Sequence, residues 1–513
     1  MKTLVETIYE AQKGAYEIVK VTDTYGEFDI PQSYVYQREV MKKYVEDGGI
    51  ISGYKMGFTS MAKMVQMGCD SPIYGVLLDE WDIKDHTMSF VYRIHPKAEP
   101  EIAFKMKEDV KIGATREELE KAIGWVAPAL EVIDSRYKDF KFTLPDVIAD
   151  NCSSAAYKTG EWVPYPPENV DLKNVSMKLV INGEVKGEGS SFAILENPFE
   201  SLVYLHRSLG KEGIELKAGQ VILLGAATAA QMIHPGDTVE IVTDTLGSAG
   251  FTCGKDRALI KKIADSLWAA DKGYYTIPQI TSEYEGLTID DAYAIQGMNK
   301  DRMLANGEVI TGKKIGLTSL AMQKSLGVDQ PDYGYLYKSM DVSETGVVPA
   351  NTVIQPRVEG EFVFKLKKPL RGKVTAEEVL EATEYAVPAI EVVGSRIANW
   401  KLTIVDTISD NASCGMYLLG DRKIDPKEVD LRKIHMDLFK NGELINSGEG
   451  SAVLGDPAES VAWLSYCLGQ YGTTLDEGDL VLSGALSAAV PAVAGDKFVV
   501  DFGEFGQVKV DFE

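Results

Sequence analysis

Three glutamates recur in this chain at one fixed distance. Glu99, Glu101 and Glu131 are followed 260 residues later by Glu359, Glu361 and Glu391. Their surroundings recur with them. Lys55-Met-Gly-Phe-Thr-Ser60 returns as Lys314-Ile-Gly-Leu-Thr-Ser319, Pro72-Ile-Tyr-Gly as Pro331-Asp-Tyr-Gly, and Asp150-Asn-Cys-Ser as Asp410-Asn-Ala-Ser. So long a period excludes a solenoid of short repeats and implies two fused homologous domains, expected at 1–254 and 255–513.

Each copy opens with helical spacing of apolar residues, over Thr3 to Val19 and Pro31 to Tyr44 in the first, and Arg257 to Ala270 and Thr288 to Met303 in the second. Thr115 with Glu118, and Thr375 with Glu378, are capping boxes that start a further helix. The remainder reads as strand. Asn182-Gly183 and Asn441-Gly442, each after an apolar run, signal tight hairpins. Strands and helices do not alternate regularly, so a doubly wound sheet is excluded. The expectation is α+β, each domain a small helical N-terminal part on a mixed, curled, barrel-like β core.

A formal charge of −24 argues against nucleic acid or an anionic membrane as partner. The five cysteines are scattered, with no Cys-x-x-Cys, which reads as a reduced protein without a zinc site. The opening residues show no signal-peptide apolar region, and the longest apolar run, Val221 to Ile233, is too short to span a bilayer. A cytoplasmic location is expected.

Glu99 and Glu101 are two apart, so on a strand they share a face; Glu131 sits inside the apolar run Val126 to Ile133, where a lone carboxylate is costly to bury. Carboxylates with no cysteine and little histidine nearby make a hard oxygen site, suited to Mg²⁺ or Mn²⁺, one ion per domain. Three ligands leave positions for a 2-oxo acid to chelate through its carboxylate and keto oxygens, which would stabilise an enolate. The competing reading is a Glu–Lys/Arg cluster, with Lys97, Arg136, Arg357 and Arg396 available. Lys55 and Lys314 can work as acid or base, or salt-bridge a glutamate. Asn151, Ser153, Asn411 and Ser413 can bind a substrate carboxylate or simply form turns. Asp332 stands where the first copy has Ile73, so one site gains an acid/base group and the other an apolar wall. His95 becomes Gln355 in the second copy, so a shared histidine catalyst is not expected.

Taken together, Lys-x-Gly-x-Thr-Ser, Glu-x-Glu, Glu-Val-(Ile/Val)-x-Ser-Arg and Asp-Asn-x-Ser resemble the fumarylacetoacetate hydrolase superfamily, in its hydratase/decarboxylase branch. The likeness extends over both halves. The first half looks like a 4-oxalocrotonate decarboxylase, the second like a 2-hydroxypentadienoate hydratase, successive steps in meta-cleavage degradation of catechols. The resemblance implies all six glutamates as metal ligands and Lys314 with Asp332 as the hydratase acid/base pair. Lys55, Asp134 and Arg136 are the catalytic candidates of the first half, with Ile73 facing substrate. It further implies 2-oxo acid substrates, and a homo-oligomer is expected. Gly394 departs from the pattern, standing where the first half has Asp134. Two rivals are a C–C bond hydrolase of acylpyruvates and a chain in which one half only scaffolds the other.

Overall fold

Six helices begin at a threonine that caps them. Thr3, Thr115, Thr143, Thr288, Thr375 and Thr403 each accept a bond from the third helical amide while an acidic side chain returns to the threonine's own backbone. The computed structural model describes every residue except 1, 61, 62, 66, 67, 85, 320–322, 325–327, 329 and 472. It divides into two compact units, Met1–Asp256 and Arg257–Glu513.

In the first unit the strands run β1 (Ile51–Gly57), β2 (Ile73–Leu78), β3 (Thr87–Met88), β4 (Lys97–Met106), β5 (Ile123–Ile133), β6 (Ser154–Thr159), β7 (Val163–Pro164), β8 (Ser176–Ile181), β9 (Glu184–Ser190), β10 (Val221–Ala226), β11 (Gln231–Met232), β12 (Thr238–Thr243) and β13 (Ser248–Cys253). One sheet has eight strands in the order β2-β1-β10-β4-β5-β6, with β11 added to β4 and β7 to β5; the other is β3-β13-β12-β8-β9. The β1–β10 pair is parallel, while β4 pairs antiparallel with both β10 and β5. The sheets are therefore mixed, and the fold class is α+β. Apolar side chains from both sheets meet helices Leu4–Gly14 and Ile30–Glu46 in one core that includes Ile8, Met41, Phe104, Leu130 and Ile241. The Asn182-Gly183 turn has positive φ at both residues, 53° and 78°, as a tight hairpin between β8 and β9 requires.

The second unit repeats this plan with β14 (Ile310–Gly316), β15 (Asp332–Tyr337), β16 (Val347–Val348), β17 (Arg357–Leu366), β18 (Thr383–Val393), β19 (Met416–Leu419), β20 (His435–Lys440), β21 (Glu443–Glu449), β22 (Leu480–Ala485), β23 (Val490–Pro491), β24 (Lys497–Asp501) and β25 (Gln507–Phe512). Its sheets are β15-β14-β22-β17-β18-β19, with β23 on β17, and β16-β25-β24-β20-β21.

Two expectations need correction. The first helix stops at Gly14, short of Val19, because Ala15 turns left-handed (φ 50°) and caps it. Helices Pro198–Lys211 and Pro457–Gln470 occupy stretches expected to be strand; Asn197 and Asp456 cap them, and proline takes the first helical position. Among the described residues, no helix is long and apolar enough to cross a membrane.

Candidate active sites

Register creates the glutamate clusters. Glu99 on β4 is the direct cross-strand partner of Glu131 on β5, and Glu101 lies two residues further along the same face. Glu359 and Glu391 pair in the same way across β17 and β18, with Glu361 two residues on. In each trio one oxygen per residue lies within 4.8 Å of the others, and among the described residues these are the two acidic clusters close-set enough to hold a metal ion. Glu101, Glu131, Glu361 and Glu391 are fully buried, while Glu99 and Glu359 are partly open.

A glycine turn supports each trio. Gly225 near the end of β10 and Gly484 near the end of β22 both have φ 115°, where a side chain is strained, and a Cβ would collide with Thr59 or Thr318. This close approach brings the Gly225 amide 2.7 Å from Glu101 Oε2 and the Gly484 amide 3.0 Å from Glu361 Oε2.

Each site has one buried ammonium. Lys55 Nζ is 3.0 Å from Glu131 Oε2, and Lys314 Nζ is 3.3 Å from Glu391 Oε1. Burial alone would lower both lysines' proton affinity, but the facing glutamates outweigh it and leave each higher than in an ordinary lysine. Burial drives the carboxylates upward as well. Glu131 rises to about 7 against the pull of Lys55; Glu359 rises to about 7 from burial and the charge of Glu391. Glu101 and Glu361 rise further, from burial and then from Glu131 or Glu391.

These surroundings fit a cation. Glu101 Oε1 and both oxygens of Glu131 and Glu391 lack a donor in good geometry, and apart from the lysine they face only the other carboxyls of the trio. An all-oxygen donor set of this kind suits Mg²⁺ or Mn²⁺.

The walls differ. The place a Cβ would take at Gly57 lies 3.1 Å from Ile73 and 3.8 Å from Lys55 Nζ. At Gly316 that place is filled by the Asp332 carboxyl group and lies 3.4 Å from Lys314 Nζ. Asp332 is buried, which raises its proton affinity, with Lys314 opposing.

Other sequence candidates are engaged elsewhere. Asp134 accepts the amides of Ile94 and His95, both at 2.8 Å. Arg136 is buried and bound to Asp150 and to the Ser154 carbonyl. Asn151 exchanges two hydrogen bonds with the backbone of Val76 on β2, and Asn411 does the same with Tyr335 on β15. Ser153 and Ser413 close left-handed turns beginning at Asn151 and Asn411, and the second turn offers the Ala412 carbonyl to Lys314 Nζ at 3.0 Å. The turn reading of these four residues describes what they touch. Sequence reasoning missed the glycine amides on Glu101 and Glu361, whose only trace was a glycine ending each apolar run.

The family description Fumarylacetoacetate (FAA) hydrolase C-terminal matches residues 87–252 and 323–513. The chain belongs to the fumarylacetoacetate hydrolase family. Among relatives, 2-hydroxyhexa-2,4-dienoate hydratase of Comamonas testosteroni is 43% identical over 260 residues, covering 50% of this chain and 98% of the relative. The 2-keto-4-pentenoate hydratase of Paraburkholderia xenovorans (strain LB400) is 41% identical over 254 residues, 49% of this chain and 94% of its own. A solved 4-oxalocrotonate decarboxylase from Pseudomonas putida G7, complexed with magnesium and adipate, is 34% identical over 50% of this chain and 98% of its own, with a TM-score of 0.49. Each of these relatives is matched by about half of the present chain. This member of the fumarylacetoacetate hydrolase family is a lyase, as its hydratase relatives are.

Proposed function

We propose that the chain joins two consecutive lyases: the N-terminal unit decarboxylates 2-oxohex-3-enedioate to 2-hydroxypenta-2,4-dienoate, and the C-terminal unit hydrates that product to 4-hydroxy-2-oxopentanoate. One observation carries the reading: the two sites share every glutamate and the lysine but have walls of opposite polarity, Ile73 against Asp332. The 41% and 43% identity to hydratases supports a hydratase half.

The six glutamates would hold one Mg²⁺ or Mn²⁺ in each unit, supplying Lewis-acid stabilisation of negative charge on the keto oxygen of a chelated 2-oxo acid. Everything else falls to the chain. In the N-terminal unit the bond to the distal carboxyl breaks and its electron pair runs through the conjugated chain to the keto oxygen, which takes a proton. Ile73 keeps water from that carbanion path and favours loss of a charged group, while the Lys55 ammonium stands ready to hold a proton at Nζ. In the C-terminal unit the dienol first gains a proton on its terminal carbon while its 2-hydroxyl gives one up, which leaves the unsaturated ketone. Water oxygen then bonds to the β-carbon of the unsaturated ketone, the water's proton passes to Asp332, and the α-carbon takes a proton.

Feeding 2-oxohex-3-enedioate to the Mg²⁺-loaded protein should release CO₂ and accumulate 4-hydroxy-2-oxopentanoate. Absence of CO₂ from intact, metal-loaded protein overturns the decarboxylase assignment. Asp332→Asn should cut hydration of added 2-hydroxypentadienoate by roughly 10²–10⁴-fold while CO₂ release continues; loss of both activities would refute two separate sites.

One observation favours a second reading. His95 Nδ1 lies 3.2 Å from Glu17 Oε1, and its Nε2 is buried without a partner, the arrangement of a water-activating pair. It exists in the N-terminal unit alone, since Gln355 replaces the histidine. That reading requires pyruvate release from an acylpyruvate, and pyruvate release that fails in His95→Gln would establish it.

A further inference from the structure

The units differ at a second position beside the first. In the N-terminal unit Ile73 packs with Val147, Ile148 and Cys152 in a small buried cluster. Val147 belongs to helix Leu144–Ala149; the matching helix of the other unit, Ile404–Ser409, carries Thr407 in its place. Thr407 is only 6% exposed, so its hydroxyl must find a partner inside. Two are at hand. Helix Ile404–Ser409 packs on β15, so Thr407 stands beside the Asp332 carboxylate as Val147 stands beside Ile73, and its hydroxyl lies 3.4 Å from Ser413 Oγ. In the N-terminal unit the corresponding Ser153 hydroxyl is buried with no partner.

Three positions therefore change character together. Ile73, Val147 and an unpartnered Ser153 become Asp332, Thr407 and a paired Ser413. Drift at one position would have left a carboxylate against an apolar helix, which is costly. An ionised carboxylate only accepts, so a bond between the two requires Thr407 to donate, with Ser413 donating to Thr407 in turn. Neither Asp332 oxygen has a hydrogen bond of ordinary geometry, so the hydroxyl of Thr407 is the side-chain donor placed to orient it.

We propose that Thr407, backed by Ser413, is the positioning residue that aims Asp332 at the water added in the C-terminal unit. This rests on the hydratase reading of that unit and names what, besides Asp332, separates it from its neighbour. Protonation of the dienol's terminal carbon does not need an aimed water, whereas addition of water does.

The test uses the full chain loaded with Mg²⁺ and supplied with 2-hydroxypenta-2,4-dienoate. Thr407→Val introduces the side chain that Val147 already shows to fit this helix. Its kcat for water addition should fall by about ten- to a hundredfold with KM little changed, as expected of lost orientation. In D₂O it should still take up deuterium at the terminal carbon, and Thr407→Ser should recover most of the rate. If the wild type adds no water, the hydratase reading itself fails. If the wild type adds water and Thr407→Val does so equally well, the positioning role is overturned and the hydratase reading stands. Thr407→Ser behaving like Thr407→Val also overturns it, because the hydroxyl would then not be the operative group. Should Thr407→Val fail to fold, Thr407→Ala is read against Thr407→Ser by the same split between deuterium uptake and water addition.

Discussion

The two units keep the same glutamates in the same register and change what stands beside them. Glu99 faces Glu131 as Glu359 faces Glu391, and a glycine amide holds the buried middle glutamate in both. Ile73 and Asp332, by contrast, share one strand position and have opposite polarity. Each glutamate trio is fixed by two paired strands and a glycine turn, the same in both copies; the wall residue is fixed by neither.

The most severe way to break this comparison is to remove one ligand set at a time. Glu101→Gln should lower CO₂ release by roughly a thousandfold, the several kcal/mol that a lost metal centre represents, and leave hydration of added dienoate intact. Glu361→Gln should do the opposite. Titration with Mn²⁺ should fall from two ions per chain to one in either variant. Two ions retained would remove the glutamates from the metal assignment, and one ion in the wild type would favour the scaffold rival.

A smaller effect compares the sites by their proton affinity. Without metal, burial raises Glu131 and Glu359 to about 7, above the ordinary carboxylate value of 4.5. The folded state then binds more protons than the unfolded state between those values, so stability falls as pH rises from about 4.5 to 7. The loss is on the order of a few kcal/mol per site. Melting the EDTA-treated protein at pH 5 and pH 8 should show a lower Tm at pH 8, and saturating Mg²⁺ should narrow the gap. A metal-free Tm that climbs over this range contradicts the buried-trio electrostatics.

Much of this was legible in the chain because local rules suffice for it. Asn-Gly fixed both hairpins, threonine caps fixed helix starts, and period-two spacing put Glu99 and Glu101 on one face. The burial of Glu131 in an apolar run placed it opposite them once the strands paired. What could not be read depends on contacts distant in sequence. The Gly225 amide reaches Glu101 from 124 residues away, and Asn151 reaches Val76 from 75. The helices Pro198–Lys211 and Pro457–Gln470 carried caps and an N-terminal proline, but their apolar residues resemble buried strand until packing gives them a helical face. The joint change at Thr407 was invisible for the same reason, since nothing in the sequence says that it faces Asp332.

The smallest effect concerns Asp134 and its absence at Gly394. The Asp134 carboxylate holds the Ile94 and His95 amides, fixing the turn that feeds β4 and so Glu99. The second unit anchors the same turn with reversed polarity. There Gln355 donates through Nε2 to the carbonyls of Ser395, at 3.0 Å, and Ile397, at 2.8 Å, while Gly394 leaves room for Val353, against which any Cβ would collide. The departure at Gly394 is thus matched by a second anchor and removes no group from the glutamate trio. Asp134→Asn keeps one acceptor oxygen and should cost about 1–3 kcal/mol of stability from the amide left unpaired, measured as a lower denaturant midpoint, with kcat for CO₂ release near wild type. A fall in kcat of a hundredfold at unchanged stability would instead make Asp134 a catalytic group, and the two units would then differ in their machinery as well as in their walls.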